Sequence, residues 1–271
     1  MIIHCKEEGS VWRLRFRAAH EGAPPTITYA SLEALFVALL RAQSSDHCRV
    51  LILEGEAGEF CRGMDLDDVA GGDPHTHDGV RLYARCVSAL REGPFAVVSL
   101  VDGPAVAGAV GLVAAADIAL ATRTSSFALP EVMLGLLPSI VLPLLMERMP
   151  EQKARFLALT PAGVSAERAE ALGLIDGLCE DSVALEKAAR SSIKQLLRLQ
   201  PAAVGELKRF SRQCAAEPLA EGIEHGVAMT HTLVQQPMTL SAIRAFVAGE
   251  PLPWVERYGR DKRDGRGKRD G

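Results

Sequence analysis

One stretch, residues 97–135 (VVSLVDGPAVAGAVGLVAAADIALATRTSSFALPEVMLG), constrains the fold more than any other. It opens on Val97-Val98-Ser99-Leu100-Val101, an apolar, β-branched run of the length a buried strand needs. Asp102-Gly103-Pro104 reads as a turn. From Ala105 to Leu112 every residue is tiny or apolar, which lets backbone approach closely. A helix that starts beside glycine there leaves N–H groups without partners, aimed at whatever sits opposite. A second strand is predicted over 117–121, and Phe127-Ala128-Leu129-Pro130 then leads to Glu131. Glu131 is the only acidic residue between Asp117 and Glu147. A carboxylate flanked by apolar sequence has its pKa raised and suits general acid–base chemistry. Spacing alone equally allows it to cap a helix after Pro130.

The rest of the chain alternates in the same way. Val11-Trp12-Arg13-Leu14-Arg15-Phe16 reads as a strand with one buried face. Leu32, Leu35, Phe36, Leu39 and Leu40 form a helical stripe, with Thr28 or Ser31 placed to cap it. Val50-Leu51-Ile52-Leu53-Glu54 is a buried strand ending at Gly55. Strand, helix and strand recur at 95–101, 106–116 and 118–121, which predicts an α/β fold with right-handed crossovers. Periodicity does not separate a doubly wound sheet from other α/β architectures.

Composition sets the remaining bounds. The 271 residues are 48% hydrophobic but only 5% aromatic, so a large core packed from small aliphatics is expected, in one elaborated domain or two. The formal charge of −4 gives no reason to expect nucleic acid as a partner. Six cysteines (Cys5, Cys48, Cys61, Cys86, Cys179 and Cys214) lack CxxC spacing, and the start is too short and charged for a signal peptide. They read as reduced thiols in a cytoplasmic protein, and no apolar run predicts a membrane span.

Three short segments carry further candidates. In Phe60-Cys61-Arg62-Gly63-Met64-Asp65, Gly63 permits a tight turn after which the Met64 N–H can face a pocket. Asp65 then begins a helical turn, as a cap or as a catalytic acid, and Cys61 reads as a buried inert thiol. Residues 70–79 read as a loop in which His75 and His77 are either metal ligands or simply mobile. Arg81 and Arg85 share one face of a helix over 80–89, for surface ion pairs or an anionic substrate end.

With these residues in view, the chain resembles the crotonase (enoyl-CoA hydratase/isomerase) superfamily over roughly residues 11–248. The resemblance implies a spiral of repeated ββα units. It implies an oxyanion hole made by the N–H groups of Met64 and Gly108, which holds a thioester enolate. One catalytic carboxylate of the ordinary hydratases falls on Glu131. The other falls on Gly111, so that carboxylate is missing. Where ordinary hydratases are glycine-rich, this chain has Ser139-Ile140-Val141-Leu142-Pro143. That wording, with the segments around Met64 and Gly108, is similar to the stand-alone dehydratases of polyketide β-branching cassettes. These convert 3-hydroxy-3-methylglutaryl groups on an acyl carrier protein to 3-methylglutaconyl thioesters. The cassette decarboxylases depend on a Lys and His constellation, and no Lys lies between Asp65 and Leu90.

The resemblance also divides the chain. It implies a spiral core with the active site over 1–199 and a C-terminal helical oligomerisation region over 200–256, building a homotrimer or hexamer. A charged, Gly-rich tail follows over 257–271 and is expected to be disordered. Ser165 is placed to cap a helix, and amphipathic helices are predicted over 183–199, 202–214 and 219–234. Lys208 and Arg209 read as solvated charge, or as contacts to a phosphate or an acidic carrier surface. Cys61, Arg62, Asp65, Arg81, Arg85, Gly111 and Ser139 are further candidates for contact with substrate. The expected chemistry is loss of water from a 3-hydroxyacyl thioester, on a carrier protein or CoA, without metal or redox cofactor. A single Glu also suits an enoyl-thioester isomerase, and the gap at Gly111 suits a non-catalytic acyl-carrier-binding homologue. Assaying hydroxyacyl and enoyl thioesters side by side separates the first pair; Glu131→Gln without effect identifies the third.

Overall fold

The computed structural model describes residues 1–56, 58–65 and 76–259. Residues 66–75, with His75, and those from 260 lie outside the described residues, and the loop expected over 70–79 is helix from Thr76. Strands β1 (Ile2–Glu8) and β2 (Val11–Arg17) form an antiparallel hairpin, with Glu8 opposite Val11. Helix α1 (Tyr29–Gln43) follows, and a capping box starts it. The Ser31 N–H donates to Thr28 Oγ1 at 3.2 Å while the Thr28 N–H donates to Ser31 Oγ at 2.9 Å. Next come β3 (Val50–Glu54), α2 (Thr76–Glu92), β4 (Ala96–Val101), β5 (Pro104–Val106) and α3 (Gly108–Ala114). Then follow β6 (Ile118–Thr122), β7 (Ser126–Ala128), a 3-10 turn (Glu131–Leu134), α4 (Val141–Arg148), α5 (Glu151–Ala158), β8 (Val164–Ser165) and α6 (Ala166–Leu172). The chain continues through β9 (Gly177–Cys179) and α7 (Ser182–Leu196), then three C-terminal helices, α8 (Pro201–Ala216), α9 (Leu219–Val234) and α10 (Pro237–Val247).

The main sheet has the order β1-β2-β3-β4-β6-β9, parallel from β2 onward. Its central strands read as continuous apolar runs because both faces are covered. Leu51, Leu53, Val97 and Val101 pack into the larger core with α1, α2 and α3. The alternate residues Val50, Ile52, Val98 and Leu100 meet Leu185, Ala189 and Ile193 of α7 on the opposite face. The second sheet, β5-β7-β8, takes one strand from each passage of the chain, β5 after β4 and β7 after β6. Cys61, downstream of β3, bridges in parallel to Ala105 and extends this small sheet. This double contribution makes the spiral, and β5 explains a correction: the helix expected from residue 106 begins at Gly108, since 104–106 are strand. The periodicity reading passed over β1 and α10, the latter hidden in a short stretch behind Pro237.

Two buried cations tie C-terminal segments of the chain to the core. Lys208 Nζ donates to the carbonyls of Leu90 (3.0 Å) and Phe95 (3.1 Å) and to Asp117 Oδ2 (2.8 Å), so it is not the solvated charge expected. Arg209 pairs with Glu206 on its own helix. Arg49 Nη1 donates to the Trp254 carbonyl at 2.7 Å, and Nη2 reaches the carbonyls of Leu197 (3.0 Å) and Leu199 (2.6 Å). Replacing Arg49 takes a donor from the Trp254 and Leu199 carbonyls, leaves Leu197 only the Glu256 N–H at 3.3 Å, and removes the ion pair to Glu256. Arg49→Met should therefore lower the unfolding free energy by about 2–4 kcal/mol. Urea denaturation followed by circular dichroism measures this, and an unchanged midpoint would contradict it.

Candidate active site

The small sheet and the turns beside it shape a cavity of about 410 Å³. Its polar lining among the described residues is Arg62, Tyr83, Glu131 and Ser139; the remaining side chains are apolar, from Ile27, Val80 and Val141 to Leu136 and Leu137. Met64 and Gly108 also line it. Backbone pairing explains how Met64 is presented. Ile27 donates to the Gly63 carbonyl at 2.7 Å and accepts from the Asp65 N–H at 3.0 Å, so the Met64 N–H between them points the other way. Gly108 is the first residue of α3, where no preceding carbonyl is in place to take its N–H.

The two segments are held together by close contact. The Cys61 N–H donates to the Pro104 carbonyl (3.1 Å) and the Val106 N–H to the Cys61 carbonyl (3.0 Å). Gly63 has φ +81°, and a Cβ there would sit 2.7 Å from the Val106 carbonyl oxygen and 2.9 Å from the Ala107 Cβ. Ala107, just ahead of Gly108, has φ +52° and ψ −121°, a conformation that L-residues with a Cβ seldom adopt. Its N–H on the Ala128 carbonyl (2.8 Å) holds it there, at a strain of about 1–3 kcal/mol.

Glu131 opens the 3-10 turn that Gly135 closes in the left-handed region, φ +74°. Glu131 lines the cavity from the first turn, but the cap position is Pro130 and no side chain caps the turn, so the capping role that spacing also allowed is not observed. Glu131 Oε2 is buried without a hydrogen-bond partner among the described residues. Burial raises its pKa, and a hydrogen bond from its own backbone N–H opposes that only in part.

The remaining candidates divide cleanly. Arg62 and Ser139 line the cavity, although Arg62 is held bidentate by Glu59, Nε and Nη2 each at 2.8 Å. Cys61 is fully buried behind the wall, and burial pushes its thiol up to about 11. Asp65 accepts from Thr26 Oγ1 at 2.9 Å, and the turn it was expected to start lies outside the described residues. Arg81 and Arg85 are exposed and line no part of the cavity. The α2 register turns Tyr83 inward instead, and the Arg85 guanidinium stacks 4.2 Å from the Phe36 ring. His77 is exposed, and no group of three His, Cys, Asp or Glu side chains among the described residues could hold a metal.

The residue that sequence reasoning missed is Tyr83. It is buried and donates from its hydroxyl to the Gly108 carbonyl at 2.7 Å. Gly111 lies beneath it, and a Cβ at Gly111 would be 2.0 Å from the Tyr83 hydroxyl. The available signal was a polar tip on the buried face of an amphipathic helix, opposite the glycine where the resemblance implies an absent carboxylate.

This fold and this cavity define a class, the crotonase-type enzymes that work on thioesters. A family profile described as enoyl-CoA hydratase/isomerase matches residues 19–257. The chain belongs to the enoyl-CoA hydratase/isomerase family. Bacillaene synthase dehydratase PksH of Bacillus subtilis (strain 168) is 29% identical over 212 residues, 77% of this chain and 80% of that protein. Carnitinyl-CoA dehydratase of Salmonella typhi is 30% identical over 235 residues, 83% of this chain and 88% of the relative. Among solved structures, Pseudomonas aeruginosa AtuE superposes with a TM-score of 0.87 at 25% identity, over 94% of this chain and 100% of that one. The chain is thus an enoyl-CoA hydratase-like enzyme of the hydro-lyase kind. No helix among the described residues is long and apolar enough to cross a membrane.

A raised pKa has a sign that stability can read. The fold favours protonated Glu131, so its contribution is fully present below the unfolded-state pKa of about 4.3 and is lost as pH rises through the higher folded value. Glu131→Gln should therefore be more stable than the wild type at neutral pH, with the gain fading as pH falls toward the unfolded value. Thermal unfolding across pH measures this; a constant difference would contradict it.

Proposed function

We propose that this enzyme removes water from a 3-hydroxyacyl thioester, with 3-hydroxy-3-methylglutaryl on an acyl carrier protein as substrate and the 3-methylglutaconyl thioester as product. The observation that carries the reading is the Glu131 carboxylate, whose Oε2 is buried without a partner among the described residues, sharing an apolar cavity with the backbone of Met64 and Gly108. The similarity to a bacillaene synthase dehydratase supports the carrier-bound substrate.

In this reading the thioester oxygen accepts from the N–H groups of Met64 and Gly108. Loss of one such donor costs about 2.7–4 kcal/mol in the transition state. Glu131 takes the C2 proton, whose acidity the two donors raise, and returns it to the departing hydroxyl, so a single carboxylate serves a syn elimination. The raised pKa makes it a stronger base once ionised and readies it to give the proton back. The substrate's free carboxylate would meet Arg62, the one cation at the cavity wall among the described residues, in place of Glu59.

The missing carboxylate at Gly111 favours a second reading, an isomerase that shuttles one proton between C2 and C4. Mass spectrometry of 3-hydroxy-3-methylglutaryl carrier protein separates the two. Wild type should remove the mass of one water, and Glu131→Gln should be slower by about 100-fold to 10,000-fold. No mass change with wild type on carrier protein or CoA thioester would sink the dehydratase reading.

We also propose that the C-terminal helices build a homotrimer, alone or paired into a hexamer. Their apolar side chains support this: Leu219 and Val247 are each 81% exposed and Phe246 75%. Native mass spectrometry should find trimers or hexamers, and a monomer at micromolar concentration would refute the proposal.

A further inference from the structure

The resemblance set out above implies a second carboxylate at the position of Gly111, and in this structure that space is filled from another element. The Tyr83 hydroxyl lies where a Gly111 side chain would start, 2.0 Å from its Cβ position. Val141 Cγ2 closes the other side of that position at 3.0 Å. Gly111 and Tyr83 are therefore a matched pair, since any side chain at 111 would displace the hydroxyl. Tyr83 lines the same cavity as Glu131, Met64 and Gly108. Its ring also packs against Gly108, where a Cβ would be 3.5 Å from Cε2 and Cζ.

We propose that the Tyr83 hydroxyl replaces the missing carboxylate as the group that holds the departing C3 oxygen. This rests on the dehydratase reading above and makes Tyr83 a catalytic residue of that reaction. A phenol hydroxyl suits the task because it carries one proton and two acceptor positions and can rotate. In the resting enzyme its proton lies on the Gly108 carbonyl at 2.7 Å, which leaves the oxygen free to accept from the substrate's 3-hydroxyl. As the C3–O bond breaks and negative charge gathers on the leaving oxygen, the hydroxyl turns to donate to it. The Gly108 carbonyl is not stranded by that rotation, because it opens the α3 hydrogen-bond ladder.

The protons balance without ionising the tyrosine. Glu131 accepts the C2 proton, the C2–H electrons become the C2=C3 double bond, and the C3–O pair leaves with the oxygen. That oxygen takes the proton back from Glu131 and departs as water. Tyr83 ends as it began. Burial, with Glu131 adding to it, holds the phenol well above its ordinary pKa, which keeps it a neutral donor throughout.

Two substrates separate this role from a purely structural one. The first is the 3-hydroxy-3-methylglutaryl carrier protein, scored by water loss. The second is its 3-deoxy analogue, the 3-methylglutaryl carrier protein in D2O, scored by deuterium uptake at C2. The second needs Glu131 and the two N–H donors but has no leaving oxygen. Tyr83→Phe should slow water loss by at least about 100-fold in kcat and keep deuterium uptake within about threefold of wild type. A Tyr83→Ala, Gly111→Glu double variant, which returns a carboxylate to the vacated space, should recover at least about tenfold over Tyr83→Ala alone. Equal loss of both reactions in Tyr83→Phe would overturn the proposal, since Tyr83 would then only support the Gly108 segment. Unchanged water loss would overturn it as well. A wild type that takes up deuterium but loses no water would refute the dehydratase reading itself, and with it any departing oxygen for Tyr83 to hold.

Discussion

The cavity exists because two stretches of backbone lie closer together than side chains ordinarily permit. Cys61 pairs with Ala105, and Gly63 passes a position where a Cβ would fall 2.7 Å from the Val106 carbonyl oxygen. That contact brings Met64 and Gly108 together in the cavity lining. Everything behind it serves as a brace. The parallel strands β3 and β4 are buried over their whole length and locked between two cores, so the turns at their ends begin from fixed points. Precision at the cavity is thereby inherited from the sheet rather than made locally.

The treatment of charge divides the molecule in two. Away from the cavity, buried ions are fully engaged: Arg13 meets Glu54 at 2.6 Å, and Lys208 is shared among two carbonyls and Asp117. At the cavity, Glu131 Oε2 has been removed from water and given no partner among the described residues. A buried acceptor without a donor costs about 1–3 kcal/mol in the folded state. Such an arrangement is reasonable where a proton or a substrate is to supply the missing partner.

Much of this was legible from the chain alone. The capping box at Thr28, the buried runs at β3 and β4, and the Ser165 cap all follow from local patterns that tertiary contacts reinforce. Glu131 was legible because a lone acid in apolar sequence is costly to bury unless chemistry needs it there. Strand β5 was not, since three residues beside a glycine-rich helix start carry no period. Arg81 and Arg85 misled for the opposite reason. Helical spacing puts them on one face, but only packing decides that Tyr83 takes the inward face and Arg85 lies on Phe36. Lys208 followed the same rule, because a long side chain on a helix shows no sign in sequence of the carbonyls waiting beneath it.

Ala107 carries a consequence for how this protein can change. It adopts φ +52°, where glycine would rest without strain, directly before a backbone donor of the cavity wall. Exchange for glycine would relieve the strain in the folded state, yet it would also free the chain to swing that N–H through a wider arc. The methyl group at this position therefore exchanges folded-state strain for a narrower arc of the Gly108 N–H.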